Sequence, residues 1–283
     1  MDVSIDKKLK IAIQGYEGSF HEIAARKYYD QSVDIVPARS FTELVNNMRD
    51  EQVCDEGIMA IENSIAGSIL SNYALLEEAK LHITGEVYIQ IGQHLMTLPG
   101  QSITDLHEVH SHPMAILQCR RFVRQHPHIK LIETEDTALS AKNLRQNNMH
   151  GVGAIAGELA ASLYNLDIIE RNIETVQNNY TRFLVLSRHS NAHEWATCDK
   201  ASLHFNVNHK PGSLVKAMQV LADEGINISK IQSVPIIEHE WQYSFHIDLE
   251  FESKAQYERG IEKLADHSKE LKVLGIYKNG KHD

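Results

Sequence analysis

Apolar and polar positions alternate in two registers along the first two-thirds of the chain. Short apolar runs that suit buried strands stand at 10–14, 33–38, 57–62, 108–112, 130–134 and 152–155. Each is followed by a stretch whose apolar residues recur every three or four positions: 19–29, 41–49, 68–79, 114–123, 137–145 and 157–164. This strand–helix alternation predicts an α/β layout with largely parallel sheets. Residues 81–96 instead alternate with period two for a long stretch, which predicts a strand crossing from one sheet to another. A last strand is expected where the run Tyr-Thr-Arg-Phe-Leu-Val-Leu-Ser ends at 187.

Beyond it the pattern changes. Residues 188–200 are polar and aperiodic and read as a linker. A strand (201–207), a helix (213–224), two strands (226–236 and 241–251), a helix (254–266) and a strand (271–277) follow. That βαββαβ order is the ferredoxin-like pattern.

Composition narrows the function classes. The formal net charge is −10, which argues against a nucleic-acid partner. No apolar run reaches the length of a membrane span, and the first ten residues lack the apolar core of a secretory signal. The three cysteines, Cys54, Cys119 and Cys198, are scattered and read as reduced thiols of a cytoplasmic protein.

Ligands of open α/β sheets lie beyond the carboxyl ends of strands, where helix N-termini offer free N–H groups to anions. The residues at those junctions here are Gly15 to Ser19, Glu62-Asn63-Ser64, His112-Pro113, Asp136-Thr137 and Asn179 to Arg182. Hydroxyls recur among them: Ser19, Ser64, Thr137 and Thr181. Each taken alone reads first as a helix cap, and only their joint placement at one edge favours a binding role. Arg182 lies in an apolar run, and either an anionic ligand or an internal carboxylate would satisfy its buried charge. His107, His110 and His112 raise a zinc reading, but no third ligand set with structural-zinc spacing accompanies them. The glycines of 14–19 do not form a phosphate loop, and those of 151–157 match a dinucleotide turn only loosely.

Taken together the junction blocks resemble the prephenate dehydratase family over nearly the whole chain. The blocks are Q-G-Y-E-G-S-F-H-E-I-A-A (14–25), A-I-E-N-S-I-A-G-S-I (60–69), S-H-P-M-A-I-L-Q-C (111–119), D-T-A-L-S-A (136–141), A-I-A-G-E-L-A-A-S-L-Y-N-L (154–166) and N-Y-T-R-F (179–183). Residues 210–231 look like an ACT regulatory domain. The resemblance implies a two-lobed catalytic part of the type II periplasmic-binding-protein kind at 8–190. Lobe 1 would take about 8–82 plus 179–190, and lobe 2 about 83–178. The ACT domain would take 199–279. It implies conversion of prephenate to phenylpyruvate, with no metal or other cofactor. Arogenate dehydratase and a non-catalytic amino-acid sensor are the alternatives.

By the same resemblance Thr181 is the catalytic threonine, assisting departure of the ring hydroxyl. Arg182 would bind the pyruvyl carboxylate, and Phe183, on the other side of the strand, would pack in the lobe core while completing the substrate-binding T-R-F motif. Ser19, Asn63, Ser64 and Thr137 would line the cleft as substrate ligands. His21 stands where the family often has serine. Phenylalanine is the expected effector, at Gly212, Ser213, Leu214 and Val215 with Gln232 and Ser233. The family's E-S-R-P signature reads Q-S-V-P here, so its control is expected to be altered. No chorismate mutase segment precedes Lys10, and a homodimer or homotetramer is expected.

Overall fold

A computed structural model describes residues 8–29, 33–190, 195–236 and 242–282. Residues 191–194 of the expected linker and Trp241, the expected start of a strand, lie outside them. The chain opens with β1 (Leu9–Gln14), α1 (Phe20–Tyr28), β2 (Val33–Ala38), α2 (Phe41–Asn47), β3 (Glu56–Asn63), the two-residue β4 (Gly67–Ser68), α3 (Leu70–Ala79) and β5 (His82–Gln90). A second group follows: β6 (His94–Thr97), β7 (Glu108–Ser111), α4 (Pro113–Gln118), α5 (Arg120–Gln125), β8 (Lys130–Glu133), α6 (Thr137–Gln146), β9 (Val152–Ala156), α7 (Glu158–Tyr164), β10 (Asp167–Glu170) and β11 (Tyr180–Ser187). The last group is β12 (Lys200–Asn206), α8 (Ser213–Asp223), β13 (Asn227–Pro235), β14 (Tyr243–Glu250), α9 (Lys254–His267) and β15 (Lys269–Tyr277).

These strands form three sheets, ordered β2-β1-β3-β11-β5 with β4 beside β3, β10-β6-β9-β7-β8, and β13-β14-β12-β15. β1 is parallel to both β2 and β3, and β7 is parallel to both β8 and β9. In the second sheet β6 alone is reversed: it pairs antiparallel with β9 on one side and with β10 on the other, so β10 runs in the same direction as β7, β8 and β9. β10 is a four-residue edge strand that the periodicity did not indicate, being too short to show a period. The alternating stretch at 81–96 is two strands, β5 and β6, interrupted at Ile91–Gln93. The expected single helix at 114–123 is two, joined at Cys119. No described helix is long and apolar enough to cross a membrane.

The helix starts follow simple local chemistry. α1, α2 and α9 each begin after a serine whose hydroxyl accepts the N–H of the residue three ahead: Ser19 from Glu22, Ser40 from Glu43 and Ser253 from Gln256. Asp136 does the same for α6 through the N–H of Leu139. The parallel strands are apolar on both faces, as strands covered on both sides must be: Ile11 to Ile13 and Ile58 to Ile61 are buried.

The chain divides into two compact units, Met1–Gly67 with Tyr88–Phe183, and Ser68–Val87 with Leu184–Asp283. In the second unit α8 and α9 pack on one face of the last sheet around Leu203, Phe205, Leu221, Leu249 and Leu264. The opposite face of that sheet is polar and yet buried. Lys200 places its ammonium 2.8 and 3.0 Å from the two carboxylate oxygens of Glu86, which also accepts from the N–H of Gly280. Ser202 donates to Asp248 at 2.5 Å and meets the Tyr277 hydroxyl at 2.6 Å. What covers this face is the segment Ser68–Val87, which the sequence reading placed largely in lobe 1. At Gly275 its backbone comes so close that a methyl group would stand 1.9 Å from the Ile83 carbonyl oxygen.

A buried ion pair that loses one member leaves an uncompensated charge. Glu86→Ala is therefore expected to cost about 3–5 kcal/mol in urea unfolding at pH 7, while Glu86→Leu combined with Lys200→Met recovers most of that loss.

Candidate active site

The end of β3 and the start of β11 carry one carboxamide that organises the junction between them. Asn63 donates through Nδ2 to the Asn179 side-chain oxygen at 2.7 Å, to Thr181 Oγ1 at 3.0 Å and to the Tyr180 carbonyl at 3.3 Å. Its own oxygen accepts the N–H groups of Ile65 and Ala66 at 3.0 and 2.8 Å. Asn63 is thus spent on the protein. The sequence expectation made it a substrate ligand; in the structure both ends of its carboxamide are engaged by neighbouring protein groups.

Ser64 is occupied as well. Its hydroxyl accepts the Tyr180 N–H at 2.9 Å and donates to the Asn178 carbonyl at 3.4 Å, while its own N–H donates to the Tyr180 carbonyl at 2.8 Å. It pins the first residues of β11 to the turn after β3, and its side-chain hydrogen-bonding is directed to backbone.

Thr181 is the product of this scaffold. It is 9 % exposed, so its side chain is almost enclosed yet not sealed. Its oxygen accepts from Asn63, which leaves its own hydrogen free to be donated elsewhere. Beside it Asn179 is wholly buried, and its amide nitrogen has no hydrogen-bond partner among the described residues. The sequence reading placed Asn179 among the junction residues, where by composition it could equally be a plain turn residue. Only the tertiary pairing with Asn63 distinguishes it from one.

Strand alternation sends Thr181 and Phe183 to one face of β11 and Arg182 to the other. Phe183 is 1 % exposed and meets the His21 ring edge-on, with centroids 4.9 Å apart and planes at 83°. It offers a ligand no surface, so its place in the motif is to pack. Arg182 is 5 % exposed and engaged within the protein. A direct clamp by Arg182 on a molecule held at Thr181 conflicts with that alternation.

His21 packs on Phe183, two residues along β11 from Thr181, and is buried. Its Nε2 accepts the Ala60 N–H at 3.3 Å, and its ring lies between Phe41 and Phe183. Burial pushes its pKa down to about 3. A neutral imidazole with one nitrogen committed to backbone is a packing residue, not an acid or base for substrate.

The starts of α1 and α6 approach each other across the loop after β1. A methyl group at Gly15 would stand 2.9 Å from the Asp136 carboxylate and 3.7 Å from Ser19 Oγ, so both lie within reach of one point. The loop is tied down by Tyr164, whose hydroxyl donates to the Glu17 carbonyl at 2.7 Å, and by Lys142, 3.3 Å from the Glu17 carboxylate. Ser19 is buried and caps α1, and Thr137 is half-buried in the first turn of α6. Burial raises the pKa of Asp136 against the pull of the helix N–H groups it accepts. Two helix N-termini with hydroxyls suit carboxylates.

A cavity of about 340 Å³ in the same unit is lined by Phe20, His94, Glu158, Glu174 and neighbours. It carries two carboxylates and neither Lys nor Arg, so it is the wrong place for a dianion. His107, His110 and His112 do not assemble a metal site either. His110 pairs with Glu108 at 3.2 Å, and His112 caps α4 by accepting the Met114 N–H.

Comparison with known proteins places this geometry. A family model described as prephenate dehydratase matches residues 11–191. The chain is 33% identical to the bifunctional chorismate mutase/prephenate dehydratase of Aquifex aeolicus, over 97% of this chain and 75% of that protein. It is 33% identical to the chloroplastic arogenate dehydratase/prephenate dehydratase 2 of Arabidopsis thaliana, over 97% and 74%. A solved structure described as GqqA, a novel type of quorum quenching acylase, is 29% identical with a TM-score of 0.87, covering 96% of this chain and 99% of that one.

The neutral His21 has a consequence for acid stability. The unfolded chain protonates this imidazole near 6.5, whereas the folded protein keeps it neutral down to about 3. Below 6.5 the unfolded state therefore binds the extra proton, and stability falls as pH drops. Exchanging His21 for Asn removes this contribution. Between pH 7 and pH 5 the variant is expected to lose about 2 kcal/mol less than the parent, read by urea unfolding at both values.

Proposed function

Since the chain belongs to the prephenate dehydratase family, we propose that it converts prephenate into phenylpyruvate, carbon dioxide and water. The ring carboxylate leaves as carbon dioxide, its bonding electrons enter the ring, and the carbon–oxygen bond of the ring hydroxyl breaks, the departing oxygen taking one proton from solvent to leave as water. Aromatisation supplies the driving force. The protein has to hold a dianion in one orientation and assist the departing hydroxyl.

The observation that carries this reading is the 3.0 Å bond from Asn63 to Thr181 Oγ1. Thr181 is a poor acid by itself, but an oxygen that accepts a hydrogen bond is polarised toward donating its own proton. That donation would fall on the leaving hydroxyl, where negative charge grows in the transition state. The two carboxylates would be met by the N-termini of α1 and α6, with Ser19 and Thr137. Neutral donors suit the ring carboxylate, because a tight ionic grip would oppose its loss.

We assign residues 8–190 to the catalytic part and 199–279 to an ACT domain that senses an amino acid, phenylalanine in the first instance. A cavity of about 680 Å³ in the second unit is lined by Lys210, Gly212, Ser213, Leu214 and Val215, with Phe245, Lys269 and Glu270 opposite. Gly212 takes φ +82°, a left-handed turn that starts α8. The first turn of α8 with Lys210 suits a carboxylate, Glu270 suits an ammonium group, and Phe245 suits an apolar side chain. Gln232 and Ser233 lie outside this lining, and the Gln232 amide donates to the Ser233 carbonyl. The altered signature would then meet the effector across a second copy of the chain, as in the expected homodimer or homotetramer of a cytoplasmic enzyme.

The structure described as an acylase calls for a second reading, hydrolysis of an acyl amide. Amide attack needs a nucleophile with a base beside it. Thr181 has an amide donor beside it, and His21 is turned to the core, so lyase chemistry is favoured.

With prephenate as substrate and phenylpyruvate as readout, Thr181→Ala is expected to lose about 100–1000-fold in kcat with its fold intact, and Thr181→Ser to retain most activity. Arms with arogenate and with an acyl amide decide among the readings. Full turnover by Thr181→Ala would remove Thr181 from the reaction. No turnover of prephenate or arogenate by the parent protein would leave the sensor or acylase in its place.

A further inference from the structure

The buried polar face of the second unit contains a group that the reaction does not use. His204 on β12 and His246 on β14 are register partners across the antiparallel pair. Their side chains therefore rise side by side from the same face, with ring centroids 4.8 Å apart. They are 1 % and 3 % exposed. All four of their ring nitrogens lack a hydrogen-bond partner among the described residues. Buried imidazoles normally find partners, and two adjacent ones with none is a specific exception.

Above them lies α3. Glu77 holds Oε1 3.5 Å from His204 Nε2, too long for a good hydrogen bond but close enough to share a third body. Tyr73, one turn earlier on the same helix face, sets its ring against His246 with centroids 4.9 Å apart and planes at 64°, which fixes that imidazole. One donor atom from each of Glu77, His204 and His246 lies within 4.8 Å of the other two, the only such trio among the described residues.

We propose that Glu77, His204 and His246 bind one divalent transition-metal ion of the zinc type. Donors about 2.0–2.2 Å from a tetrahedral ion stand roughly 3.4 Å from one another, so small side-chain rotations complete the arrangement. Two imidazoles and one carboxylate favour zinc, cobalt or nickel over magnesium and calcium, which call for oxygen ligands. Burial keeps both imidazoles in the neutral, ligating form. Glu77 is partly exposed, which gives the ion an entry path and leaves the fourth position to water. Bound there, the ion joins α3 to β12 and β14, segments far apart in sequence within one unit. Its role is to staple the covering segment Ser68–Val87 to the sheet.

The test uses the full-length protein freed of metal with a chelator and then exchanged into chelator-free buffer. Zinc is added, bound metal is counted by equilibrium dialysis with elemental analysis, and cobalt is used in parallel for its absorption spectrum. The chain has 17 histidines, so variants must locate the site. Expected are one tightly held zinc per chain, a tetrahedral cobalt spectrum, a rise in Tm with zinc, and at least about 10-fold weaker binding in Glu77→Gln and His246→Asn. If His246→Asn does not fold, Glu77→Gln decides, because the exchange leaves both imidazoles in place. No stoichiometric zinc, or an affinity unchanged in Glu77→Gln, overturns the proposal.

Discussion

The hydrogen bonds of one carboxamide, Asn63, hold the candidate active site together. Its nitrogen reaches Asn179, Tyr180 and Thr181, and its oxygen is fixed by two backbone N–H groups of its own turn. A side chain satisfied on both ends cannot rotate without leaving buried polar groups unpaired, at about 1–3 kcal/mol each. The threonine is therefore not merely near the site. Its oxygen is assigned as acceptor, which fixes what its proton is left to do. Family membership says which reaction to consider, and this bond says how a residue with no base beside it would take part under the proposed mechanism.

The same economy runs through the first unit. Charge is kept off the reacting centre: His21 is neutral and buried against Phe183, and Arg182 is on the far face of β11. In the proposed reaction binding would fall to helix N-termini and hydroxyls, whose hydrogen bonds would orient an anion without holding its carboxylate too tightly to leave. A reaction driven by aromatisation asks for orientation more than for acid strength.

Much of this was legible before any coordinates. Strands covered on both faces announce themselves as unbroken apolar runs, and serine caps announce the helices after them. Hence the sheets, the βαββαβ unit and the helix-start residues Ser19 and Thr137 could be read directly. β10 could not, because four residues at an edge show no period. The break at Cys119 could not, because both short helices keep the same apolar spacing. The division of labour among polar residues was hidden for a deeper reason. Asn63, Ser64 and Asn179 have the same composition whether they face a ligand or a neighbouring strand, and only the pairing of β3 with β11 decides. The resemblance implied substrate roles for Asn63 and Ser64, whose hydrogen bonds run to neighbouring protein groups, and expected Phe183 to pack in the core, where it is buried against His21. The His204 and His246 pair was equally silent, being 42 residues apart in strands whose register the sequence does not state.

The central claim is that Asn63 acts on the reaction through Thr181. A double-mutant cycle on kcat with prephenate, using Asn63→Ala, Thr181→Ala and the pair, tests it most directly. The account predicts that once Thr181 is gone, removing Asn63 costs little more, so the double variant resembles Thr181→Ala. Losses that simply add would contradict it.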